Sequence, residues 1–130
     1  MGPIVTKFDG ITEKIIQAGY RVHDELGQGF LERAYESALC FELAGMGVGF
    51  ERQKRPEVFY RGSVVGAYVA DLVAEGAVVV VIKAVNAIVA EHRAQCLQYL
   101  KCLHLPVGLI TQIGAKFEIR RFLSKQLMEG

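Results

Sequence analysis

The stretch AVVVVIKA, Ala77 to Ala84, decides the fold. Its apolar part, Ala77 to Ile82, is the longest uninterrupted apolar run in the chain, whereas a membrane helix needs about 20 such residues. A short run rich in β-branched side chains suits a strand buried on both faces, and Lys83 closes it. Before it, Val64 to Val73 reads as a strand with a turn at Ala74-Glu75-Gly76, and Val48 to Tyr60 reads as a strand with a turn at Arg61-Gly62. After it, a helix is expected from Ala90 to Leu103, stopped before Pro106. Two closing strands follow, Val107 to Ile113 and Lys116 to Phe122, around Gly114. Toward the N-terminus, Ile11, Ile15, Ala18, Val22 and Leu26 recur at helical spacing, and a second helix is expected from Leu31 to Met46. The order α-α-β-β-β-α-β-β gives the fold class α/β: a mixed sheet flanked by helices.

The 130 residues have room for one core. A single domain is expected over residues 11–123, with an N-terminal segment 1–10 and a C-terminal tail 124–130. Apolar residues make up 52% and charged residues 22% of the chain, which excludes intrinsic disorder. A formal charge of +1 excludes a protein that coats nucleic acid by bulk charge, although Arg52, Lys54, Arg55 and Arg61 cluster locally. Cys40, Cys96 and Cys102 form no CxxC pair, so a structural zinc or iron–sulfur site is not expected, and free thiols fit a reducing compartment. The N-terminal MGPIVTKFDG lacks the apolar core of a signal peptide, so a cytoplasmic protein with no membrane association is expected. A mean hydropathy of +0.26 leaves an apolar surplus that a subunit interface would absorb.

Polar residues on apolar faces carry the functional signal. On the second helix Glu32 falls within the stripe Tyr35, Leu39, Leu43 and Met46; a buried carboxylate there must stay neutral, find a cation or line a cleft. The competing account is a first-turn Glu favoured by the helix dipole. Glu42, at the edge of the stripe, reads as solvated. Asp71 shares a strand face with Val65, Val69 and Val73, and Lys83 ends the face of Ala77, Val79 and Val81. A short connection puts Asp71 and Lys83 at neighbouring strand ends, either as an ion pair or as parts of a site. His92, Gln95 and Tyr99 line one side of the third helix. Together Glu32, Asp71, Lys83, Gln95 and Tyr99 are expected to converge on one concave site.

These residues carry a resemblance over nearly the whole chain. YRVHDELGQGFLERAY, Tyr20 to Tyr35, resembles the signature of the GxxExxY family in Gly29, Glu32 and Tyr35. The likeness continues through FERQKRPEVFYRG, VADLV around Asp71, VIKAV around Lys83, HRAQCLQYL and VGLITQIGA. That family is similar to the PD-(D/E)XK nuclease superfamily, and Gln95 with Tyr99 resembles the QxxxY motif of its RecB-like branch. The resemblance implies an αβββαβ core and a Mg2+- or Mn2+-dependent hydrolase of DNA or RNA. It makes Glu32 and Asp71 metal ligands, with the Ile82 carbonyl as a backbone ligand. Lys83 would activate the attacking water and stabilise transition-state charge, and Gln95 and Tyr99 would position the site or the strand. His23 and His92 match recurrent family positions.

One position departs from that pattern. The family's ExK reads Val81-Ile82-Lys83 here, and valine offers no oxygen to a hard cation. Glu75 lies too near a turn to replace it, and Glu91 is a remote candidate. Three functions therefore compete: a catalytically impaired nuclease-like domain that still binds nucleic acid or a partner, a working nuclease with a relocated ligand, and a homodimeric interaction scaffold. A glycine-rich phosphate loop and a serine nucleophile motif are both missing from the sequence. Gly27-Gln28-Gly29 precedes a helix and could hold an anion, but a helix-to-helix turn is its commoner meaning.

Overall fold

The computed structural model describes residues 7–124, so the first six residues and the tail beyond Ser124 lie outside it. Helix α1 (Asp9–Leu26) buries Ile15, Ala18, Gly19 and Val22, the stripe that its spacing foretells. It starts at Asp9, inside the expected N-terminal segment. It ends where Gly27 takes φ +69° and donates its N–H to the His23 carbonyl at 2.8 Å. The Gly27-Gln28-Gly29 stretch is thus the turn between two helices. Tyr35 fastens that turn: its hydroxyl donates to the Gly27 carbonyl at 2.6 Å and accepts the Phe30 N–H at 3.2 Å.

Helix α2 (Glu32–Gly45) buries Tyr35, Glu36, Leu39, Cys40 and Leu43. Gly47, at φ +76°, donates to the Ala44 carbonyl, and Val48 to the Leu43 carbonyl. Both donors satisfy carbonyls that the helix end would otherwise leave open, and Val48 and Leu43 are buried in the same core.

The middle of the chain holds more strands than its pattern suggests. The expected strand Val48–Tyr60 is two strands, β1 (Phe50–Lys54) and β2 (Glu57–Tyr60), broken at Pro56, which has no N–H for a ladder. The expected strand Val64–Val73 is likewise β3 (Ser63–Ala67) and β4 (Ala70–Ala74), because the chain changes sheets at Tyr68-Val69. Strand β5 (Val78–Lys83), helix α3 (Ala90–Leu103), β6 (Val107–Ile113) and β7 (Phe117–Leu123) follow.

The main sheet has the order β1-β4-β5-β6-β7, with β5 and β6 parallel and the other pairs antiparallel; β2 and β3 form a separate hairpin. Val78, Val80 and Ile82 face a core shared with α1 and α2, while Val79 and Val81 face a second core with Cys96, Tyr99 and Leu100 of α3. That alternation is why β5 is apolar without a break. Helix α3 comes close to the sheet because Gly108 has no side chain; a Cβ there would lie 2.6 Å from Cys96 Sγ. The mixed sheet with flanking helices is the α/β architecture expected from the sequence.

Candidate functional site

The β4–β5 connection turns at Glu75-Gly76, so Asp71 and Lys83 lie at the same end of the pair. The two strands pair only from Leu72–Ala74 to Val78–Val80 and then part. Where the ladder stops, side chains replace it: Asp71 Oδ2 accepts the Ile82 N–H at 2.8 Å, and the Tyr99 hydroxyl donates to the Val69 carbonyl at 2.8 Å. Contrary to the expected alternation, Asp71 does not share a strand face with Val65 and Val69. Val65 and Val69 precede β4 and are exposed or nearly so, because the alternation restarts when the chain enters the main sheet.

Asp71 is half-buried, and burial pushes its carboxyl above the usual aspartate range. The Ile82 N–H opposes that rise, the negative charges of Glu36 and Glu32 add to it, and Lys83 opposes it. Lys83 is half-buried and makes no ion pair or hydrogen bond among the described residues, so Asp71 and Lys83 are not a contact pair. Glu32, exposed at the start of α2, accepts the Ala84 N–H on Oε2 at 3.0 Å. Three charged groups thus surround the end of β5, two of them anchored to its backbone.

Val81 lies opposite Asp71 by extension of the β4–β5 register, and it is 2% exposed in the α3-side core. Gln95 is half-buried one turn before Tyr99, with no hydrogen bond among the described residues. Burial, followed by the charge of Asp71, pushes the Tyr99 phenol up. Neither alternative carboxylate reaches this end: Glu75 accepts the Gly49 N–H at 2.7 Å at the far turn, and Glu91 is exposed in the first turn of α3. Among the described residues, no three His, Cys, Asp or Glu side chains gather so as to hold a metal ion. His23 and His92 serve the backbone. His23 Nε2 pairs with the Gly114 carbonyl at 2.9 Å, and His92 Nδ1 accepts the Val89 N–H at 3.2 Å.

Sequence reasoning missed Glu36. It is 5% exposed, one helical turn beyond Glu32. Arg52 donates to Oε2 from Nε and Nη2 at 3.0 and 2.7 Å, and Gln53 Nε2 donates to Oε1 at 2.7 Å. Its spacing from Leu39, Cys40 and Leu43 puts it on the buried stripe, a signal that was available; the identity of its partners was not.

No helix among the described residues is long and apolar enough to cross a membrane. None of the curated proteins matches the chain. A solved structure titled "Crystal structure of SSO0001" superposes with a TM-score of 0.51 at 16% identity, covering 88% of this chain and 78% of that one, which is a likeness of fold. A family model described as the PD-(D/E)XK nuclease superfamily matches residues 9–122. That match spans both helical layers, the whole main sheet but its last residue, and the strand ends that carry Asp71 and Lys83. The chain belongs to the PD-(D/E)XK nuclease superfamily.

Proposed function

We propose that this chain is a nuclease-like domain of the GxxExxY type that keeps its cleft for binding nucleic acid and has lost hydrolytic power. The observation that carries this is Val81, a buried hydrocarbon at the position opposite Asp71. Enzymes of the superfamily generally use divalent metals, and Mg2+ asks for near-octahedral oxygen ligands. The residues present do not fit that demand. Asp71 has one oxygen already engaged by Ile82, Glu32 is exposed and engaged by Ala84, and no third carboxylate gathers with them among the described residues. No catalytic step is therefore assigned to a metal.

The chain's own groups support binding. The Lys83 ammonium has no carboxylate partner among the described residues, and a phosphate at the end of β5 would supply one. Tyr99 acts through the backbone: it holds the start of β4 and thereby the placement of Asp71. The Gln95 amide makes no hydrogen bond among the described residues, and its spacing from Tyr99 is that of the QxxxY motif of the RecB-like branch. The alternative of a relocated ligand is disfavoured by the positions of Glu75 and Glu91.

The variant Val81→Glu tests this. Without metal it buries an uncompensated charge near Asp71, and a loss of about 3–5 kcal/mol in stability is expected. Adding Mn2+ should recover much of the melting temperature, and metal-dependent cleavage of DNA or RNA should rise above that of the unmodified chain. Robust metal-dependent turnover by the unmodified chain, abolished by Asp71→Ala, would overturn the proposal.

A further inference from the structure

The β2–β3 hairpin and α3 enclose a groove that Glu32, Asp71 and Lys83 do not line. Its volume is about 640 Å³, and its walls include Phe59 and Tyr68 on one side and Gln98, Lys101 and His104 on the other. We propose that this groove receives the unpaired strand of a nucleic acid, an inference that rests on the binding function proposed above.

The hairpin is a two-stranded sheet of its own, a form that is marginal in water unless its faces are covered. Phe59 and Tyr60 are nevertheless 64% and 61% exposed. Exposed rings set beside cations are the chemistry that single strands use: bases stack on the rings and phosphates meet the charges. The cations are in place. Lys101 lines the groove, Arg55 and Arg61 lie at the base and tip of β2, and none of the three has a carboxylate partner among the described residues. Arg61 sits over the Tyr60 ring, 5.3 Å from its centroid. Among the lining residues Glu57 offsets Lys101, so the positive surplus comes from Arg55 and Arg61 at the two ends of β2.

One wall of the groove also touches the neighbourhood of Asp71. Tyr68 meets Tyr99 edge to face with centroids 6.0 Å apart, and Tyr99 lies within the electrostatic reach of Asp71. Along α3, Gln95, Gln98 and Lys101 follow at a spacing of three residues and share one side, a track of about 9 Å. A strand lying along that side of α3 would reach the aromatic wall. A duplex hides the faces of its bases within its own stack, which is why the occupant is an unpaired strand.

Fluorescence anisotropy with labelled oligo(dT) and oligo(U) of about twelve nucleotides, and with a matched duplex, tests the assignment. Tighter binding of the single strands, weakened by salt, is expected, and the two oligomers separate DNA from RNA as the source. Phe59→Ala and Lys101→Glu should each weaken binding at least about fivefold, as loss of a stacked base or a phosphate contact does. Circular dichroism checks that both exposed-site variants fold. Cys102 gives a second readout: it lines the groove and is partly exposed, whereas Cys40 and Cys96 are buried. Bound oligonucleotide should slow maleimide labelling of Cys102. If the unmodified chain binds no nucleic acid, the proposed function itself fails. If it binds, but neither variant nor Cys102 labelling responds, only the groove assignment falls. A dimer in light scattering that Phe59→Ala and Tyr60→Ala turn into monomers would overturn the assignment in favour of a second copy of the chain.

Discussion

Glu36 and Asp71 are both carboxylates withdrawn from water, and they are treated in opposite ways. Glu36 receives a guanidinium on one oxygen and an amide on the other. Asp71 receives one backbone N–H, from Ile82, and feels Lys83 only through space. A buried charge that is paired and hydrogen-bonded belongs to the architecture, whereas one left short of a cation is held at a cost that folding alone does not explain. The difference separates a clamp between α2 and β1 from the candidate site at the splayed end of β4 and β5.

The sharpest way to break the comparison is to remove the compensation. Arg52→Ala leaves the Glu36 carboxylate with Gln53 alone, and a loss of about 2–3 kcal/mol is expected in urea denaturation. Arg52→Lys should recover only part of it, because an ammonium does not reproduce the paired Nε and Nη2 contacts. A smaller effect of opposite sign is expected at Asp71. Its carboxyl titrates above the unfolded value, so ionisation in the folded state costs stability as pH rises from the ordinary aspartate range through the folded value. Asp71→Asn should therefore raise the melting temperature at neutral pH. That gain should fade as pH falls toward the unfolded aspartate value, where the carboxyl is neutral in both states. A gain that persists unchanged at low pH would remove the electrostatic explanation. The smallest effect belongs to Lys83→Met, within about 0.5 kcal/mol in stability because no hydrogen bond or ion pair among the described residues is lost, alongside weaker and less salt-sensitive binding of nucleic acid. If Lys83→Met cost as much stability as Arg52→Ala, the distinction between clamp and site would collapse.

Much of the fold was legible because burial imposes periods on the chain. The spacing of Ile15, Ala18 and Val22 gave α1, and the unbroken run of β5 required layers on both faces. The break at Pro56 was legible in principle, since proline cannot continue a ladder, yet the alternation on either side concealed it. The switch of sheets at Tyr68-Val69 left no comparable mark, and with it went the expected face of Asp71. In the site, Asp71 and Lys83 follow from the strand order, and Glu32 from its place on an otherwise apolar stripe. Its exposure and its bond to the Ala84 N–H did not follow, because they depend on where α2 ends relative to β5.

What the residues settled by themselves was local: which segments bury a stripe, which bury both faces, and that hydrocarbon occupies position 81. These depend on contacts along one element, where spacing alone fixes what faces the core. The partner of Glu36, the lack of one for Lys83 among the described residues, and the groove between hairpin and α3 were decided only when distant segments packed. A charge is compensated or stranded according to what arrives through space, and sequence separation carries no record of that arrival.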